Sequence, residues 1–157
     1  MKNPNSNSTS LGGALSQLEN LCDEYLVKKA PYTLPDKAKE VIVNFGPWIT
    51  LILLVMALPA LLAIVGIGAI AMPFAYLGGM HAGFSYTVSM IFTAVVLVLE
   101  ALALPGLFKK TKSGWRLLFY AILVSAVQSL ITFNLGGLII GTILGLYILF
   151  QVKEYYK

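Results

Sequence analysis

Two stretches without a single Asp, Glu, Lys or Arg constrain this chain more than any other feature: Val41 to Leu99 and Leu117 to Val152. Each is longer than the roughly 20 apolar residues that carry one helix across a bilayer. They could not be covered by a water-soluble surface. A soluble domain carries about 25% charged residues, whereas this chain has 11%, against 58% hydrophobic. In hydrocarbon each backbone N–H and C=O must be satisfied within the protein, which makes helices the natural spanning elements here. The expected fold is an all-α membrane protein, a bundle of four transmembrane helices preceded by an amphipathic cytoplasmic helix.

Gly and Pro divide the apolar runs. A first span over about 47–70 begins at Gly46-Pro47, since Pro suits a first helical position. Trp48 then sits where an interfacial aromatic belongs, and Pro59 is expected to kink the helix. Residues 71–83, rich in Gly and containing Pro73, read as an outer loop that is in part re-entrant. A second span covers about 84–104 and stops at Pro105-Gly106. Spans over about 115–133 and 135–152 follow, joined by a tight turn at Asn134–Gly137. The transmembrane domain is thus 46–152, with 153–157 a cytoplasmic tail.

Ahead of it, residues 1–10 are polar and are expected to form a disordered tail. No short apolar stretch of the kind a cleaved secretory signal needs lies near the N-terminus. Residues 11–45 form a cytoplasmic or interfacial region. There Leu11, Leu15, Leu18, Cys22, Tyr25 and Leu26 recur at three- and four-residue steps, one face of an amphipathic helix. Such a face suits the bundle's own cytoplasmic end, the bilayer surface or a partner.

The net charge of +4 does not point to nucleic acid, because the basic residues flank the apolar runs. Lys28, Lys29, Lys37 and Lys39 precede the first span; Lys109, Lys110, Lys112 and Arg116 separate the second and third; Lys153 and Lys157 follow the fourth. Residues 71–83 and 133–137 contain no Lys or Arg. By the positive-inside rule this places both termini on the cytoplasmic side of the plasma (inner) membrane.

The candidate intramembrane polar site is Glu100, Gln128 and Arg116. Glu100 is the only charged residue within a span, roughly 10 Å from its cytoplasmic end. A carboxylate at the bilayer centre costs about 2.5–3.5 kcal/mol on insertion scales. It is paired with Arg116 or Lys109 at the rim, left neutral by desolvation, or a proton- or cation-binding group. Gln128 is placed to hydrogen-bond across helices. For packing, Gly137, Gly141 and Gly145 line one face of the last span, and Ala121, Ser125 and Ser129 line a face of its neighbour. These small-residue faces predict that spans three and four form the closest helix pair, or that the glycine face serves self-association.

No catalytic set can be assembled: the sequence has no G-x-S-x-G, Walker loop or H-E-x-x-H. One histidine, His81, and one cysteine, Cys22, provide neither a metal site nor a disulfide, and no cofactor is implied. The expected function is that of a non-enzymatic subunit or scaffold. Its partners would be the lipid bilayer, further copies of itself or another membrane protein. The alternative is a small oligomeric transporter or channel that uses Glu100.

Overall fold

The apolar runs wind into helices that satisfy their own backbone groups, and the computed structural model describes residues 11–157 with no strand among them. The expected disordered tail, 1–10, lies outside the described residues. Helix α1 spans Leu11–Asp23 and ends in a π-helical turn, Glu24–Lys28. Helix α2, Asp36–Ala63, passes through a π turn, Ile64–Gly68, directly into α3, Ala69–Leu77. Helix α4 is Met80–Phe108 and α5 is Lys112–Ile131. A π-helical stretch, Gly137–Leu144, leads into α6, Gly145–Gln151, and a 3-10 turn at Lys153–Tyr155.

Three of these stretches are long and apolar enough to cross a membrane: Asp36–Leu77, Met80–Phe108 and Lys112–Ile131. The last apolar helix, Gly137–Gln151, is shorter. At 1.5 Å per residue it reaches roughly 22 Å, less than the roughly 30 Å of a hydrocarbon core.

Several boundaries differ from the sequence expectation, each because a helix runs through a breaker. Gly46-Pro47 is not a turn into the membrane but lies inside α2, so residues 36–45 belong to the first long helix. Pro59 lies inside α2, where a mid-span position puts it. The 71–83 outer loop is also corrected: Pro73 sits within α3, and the turn shrinks to Gly78-Gly79. Gly79 has φ 105°, a conformation that favours glycine. Pro105-Gly106 does not stop α4, which continues to Phe108. A missing N–H costs less where neighbouring helices and local π adjustment re-satisfy the backbone.

The most extensive helix contact is between α4 and α5. This corrects the expectation that spans three and four pair most closely. The reason is Gly106 and Gly114: a Cβ built on Gly106 would lie 2.6 Å from the Gly114 Cα and 2.7 Å from its N. Backbone meets backbone there, and Thr111, whose hydroxyl accepts from the Gly114 N–H, starts α5 beside the crossing. The glycine face of the last helix is less engaged. Gly145 meets Ile122 of α5 and Gly137 meets Asn134 and Ser129, while nothing stands within 4 Å of a Cβ on Gly141. Ala121 is buried; Ser125 and Ser129 are half-buried.

The buried core gathers at one end of the molecule: Val43, Ala103, Leu107, Trp115, Phe119, Leu149, Phe150, Val152 and Tyr156. Towards the other end the helices bury little beyond Gly68, against which Tyr86 and Met90 pack, and Gly83, which is covered by the Tyr76 ring.

Candidate functional site

The end that holds the core also holds the basic residues, because their partners are there. Glu19 of α1 pairs with Arg116 at 3.6 Å and with Lys153 at 3.2 Å; Lys153 reaches Asp23 at 3.3 Å. Lys39 pairs with Glu154 at 2.9 Å, and Lys110 Nζ donates to the Asn44 side chain at 2.9 Å. The Lys157 backbone exchanges hydrogen bonds with Lys110 and Lys112, tying the last residues to the α4–α5 loop. Partly exposed pairs of this kind contribute about 0–1 kcal/mol each, so they orient the cap more than they hold it.

The stronger fastening is buried. Gln151, 3% exposed, donates from Nε2 to the Leu26 carbonyl at 2.9 Å and accepts from the Leu34 N–H at 3.3 Å. The Tyr147 hydroxyl donates to the Tyr32 carbonyl. The N-terminal segment is thereby stitched along α6. A buried group left without its partner costs about 1–3 kcal/mol. Beneath it Trp115 stacks on Phe119, meets Phe150 edge-on and donates from Nε1 to the Leu149 carbonyl at 2.8 Å. Lys153 Nζ lies 5.2 Å from the ring centroids of both Trp115 and Phe150, within cation–π range. Cys22 packs against this core; burial pushes its thiol up, opposed by Lys153, which suits an unreactive packing residue.

Gln151 and the Gly106–Gly114 crossing were not singled out from the sequence. A glutamine at the end of a span is ordinary. Two glycines on different helices, eight positions apart across a loop, carry no periodic signal.

The three residues of the candidate polar site are not brought together. Arg116 is engaged with Glu19, not Glu100, which corrects the expected rim pair. Glu19 of α1 reaches Arg116, which lies near the start of α5. The Gln128 side chain has no partner among the described residues; its backbone carbonyl accepts from the Thr132 N–H and hydroxyl.

Glu100 faces protein. It shares the α4 face with buried Ala103 and Leu107 and lines a cleft of about 430 Å³. Ile42, Gly46, Thr50 and Leu53 of α2 form one wall. Leu118 and Ile122 of α5, with Gly145, Ile148 and Leu149 of α6, form the other, and Tyr156 lies at the edge. Glu100 is the only carboxylate, lysine or arginine among the lining residues. The hydroxyls of Thr50, Thr87 and Thr132 each satisfy themselves on the carbonyl four residues back, at 2.9 Å. A carboxylate cannot do so, because it has no donor. Among the described residues none hydrogen-bonds or ion-pairs with Glu100, and there is no group of three or more His, Cys, Asp or Glu that could hold a metal ion.

The architecture defines a class: an all-helical chain with three helices long and apolar enough to cross a membrane. No protein-family model, no curated protein and no solved structure matches it.

Proposed function

We propose that this chain is a small multi-pass plasma-membrane protein with both termini cytoplasmic, and that it acts as a non-enzymatic subunit or scaffold through lateral contacts in the bilayer. The carrying observation is the distribution of burial. Within an 18-residue apolar stretch of each of the three spans only 7%, 17% and 22% is buried, while the polar end is closed on itself by α1 and the Gln151 clamp. What remains uncovered is the flank of the helices, including Gly141 with exposed Ile140, Ile143 and Leu144. Without side chains at such a position, backbones of two helices can approach closely.

The last helix, Gly137–Gln151, serves as the fourth crossing in this reading. The chain returns along it to the end that carries Lys39, Lys110 and Arg116, and the shortfall in length is met by local bilayer thinning, which costs fractions of a kcal/mol per Å. Topology reporters fused at Gly78, Thr111 and Lys157 are expected to read outside, inside and inside; an outside signal at Thr111 would overturn the arrangement. For association, cross-linking in native membranes followed by mild-detergent purification is expected to give a defined oligomer or a defined partner. Gly141→Leu should dissolve that complex at least tenfold while leaving the melting temperature unchanged. A wild-type chain recovered only as a free monomer sinks the reading.

A second reading, a small oligomeric transporter, is favoured by one observation: the Glu100 carboxylate opens into a cleft instead of pairing at the rim.

A further inference from the structure

The cleft between α2 and α6 combines three properties. Its walls are apolar and come from four helices; one acidic side chain, Glu100, reaches into it; and Thr50, the hydroxyl opposite, is spent on its own helix. The two flanking helices do not pack extensively on each other. α2 rests on α4 and the last helix on α5, so the space between them is left open along the bundle's side.

A small inorganic cation does not fit this chemistry. Hard cations exchange their hydration shell for six or more oxygens, and the lining supplies one carboxylate. An anion is repelled. A neutral apolar molecule would cover the walls but offer the carboxylate nothing, leaving it to be neutralised by a proton. The occupant that satisfies both wall and carboxylate is an organic cation with an apolar body. Its weakly hydrated charge is surrendered by water easily, and its body removes the apolar lining from contact with solvent.

We propose that the α2–α6 cleft is a binding site for lipophilic organic cations, with Glu100 as the counter-charge and Ile42, Leu53, Ile122 and Ile148 as the walls. The site rests on the Glu100 geometry and not on lateral association, so a chain that binds a cation as a monomer retains it, and an associating chain that binds none loses only this site.

The test uses the full-length chain in a maltoside detergent, which carries no amine, with radiolabelled tetraphenylphosphonium as the probe. Saturable binding is expected, with at least a tenfold weaker Kd in Glu100→Gln. Radiolabelled tetraphenylborate, of the same shape and opposite charge and measured by itself because the two ions precipitate together, should bind at least tenfold more weakly. Thr50→Trp, which keeps the carboxylate but fills the cleft, should also weaken binding at least tenfold, and it stands in should Glu100→Gln fail to fold. Absence of saturable binding to the wild type, or equal binding by wild type and a folded Glu100→Gln, overturns the proposal. Equally tight binding of tetraphenylborate, measured by itself, overturns it too, since that would reduce the site to a greasy surface.

Discussion

Gly106→Leu is expected to abolish the folded state, and Gly106→Ala alone to destabilise it by about 3 kcal/mol, the upper part of the range for overpacked sites. The added carbon would stand 2.6 Å from the Gly114 Cα, where no real Cβ contact occurs, and the obstacle is backbone. A side chain could rotate away; here α4 and α5 would have to separate. That separation would also disturb Leu107 and Trp115, each adjacent to one of these glycines and each fully buried. Thermal unfolding in detergent, followed by circular dichroism, checks this. Gly46→Ala, with nothing within 4 Å, is the matched control and should stay within about 0.5 kcal/mol of wild type. If Gly106→Leu melts where wild type melts, the crossing is not what holds α4 on α5.

Trp115→Ala is expected to cost about 3–5 kcal/mol, as for other buried aromatics, and to loosen a segment far from it in sequence. The indole is fully buried, stacks on Phe119, closes on Phe150 and donates to the Leu149 carbonyl. Lys153 lies over its ring and from there reaches both Glu19 and Asp23. Removing the ring therefore frees the lysine that tethers α1. Limited proteolysis of the full-length chain should cut within 24–35 several-fold faster in Trp115→Ala than in wild type. Trp115→Phe, which keeps a ring but loses the donor, should fall between, at about 1–2 kcal/mol. A Trp115→Ala chain whose N-terminal segment stays protected would mean that the Gln151 and Tyr147 hydrogen bonds anchor it without the Lys153 tether.

These two sites show where sequence reading succeeds and where it stops. In the sequence Trp115 marks only the start of a span; its position at the centre of the core depends on α6 returning to the same end. The spacing of Leu11, Leu15, Leu18, Cys22, Tyr25 and Leu26 predicts one apolar face without saying what covers it. The structure packs Cys22 and Leu26 against the core, with Leu26 held by Gln151, and leaves Leu11, Leu18 and Tyr25 exposed. Glu100 was legible as an anomaly because a charge within an apolar run needs a reason. Its supposed partner Arg116 was not, because Glu19 lies far away in sequence and close in space.

By itself the sequence determined the class of the molecule: helices, apolar spans and basic ends. Those follow from transfer free energies that each residue contributes locally, whatever its neighbours in space. Helix ends were legible less well, because Pro47, Pro73 and Pro105 lie inside helices that run through them, and a proline kinks a helix as readily as it ends one. The tertiary structure alone decided which glycines matter. Gly137, Gly141 and Gly145 carry the more regular pattern, but close approach is set by where two helix axes cross, and that point falls at Gly106 and Gly114. It likewise decided that the Glu100 carboxylate opens into a cleft, since the gap between α2 and α6 exists only once both have packed on α4 and α5.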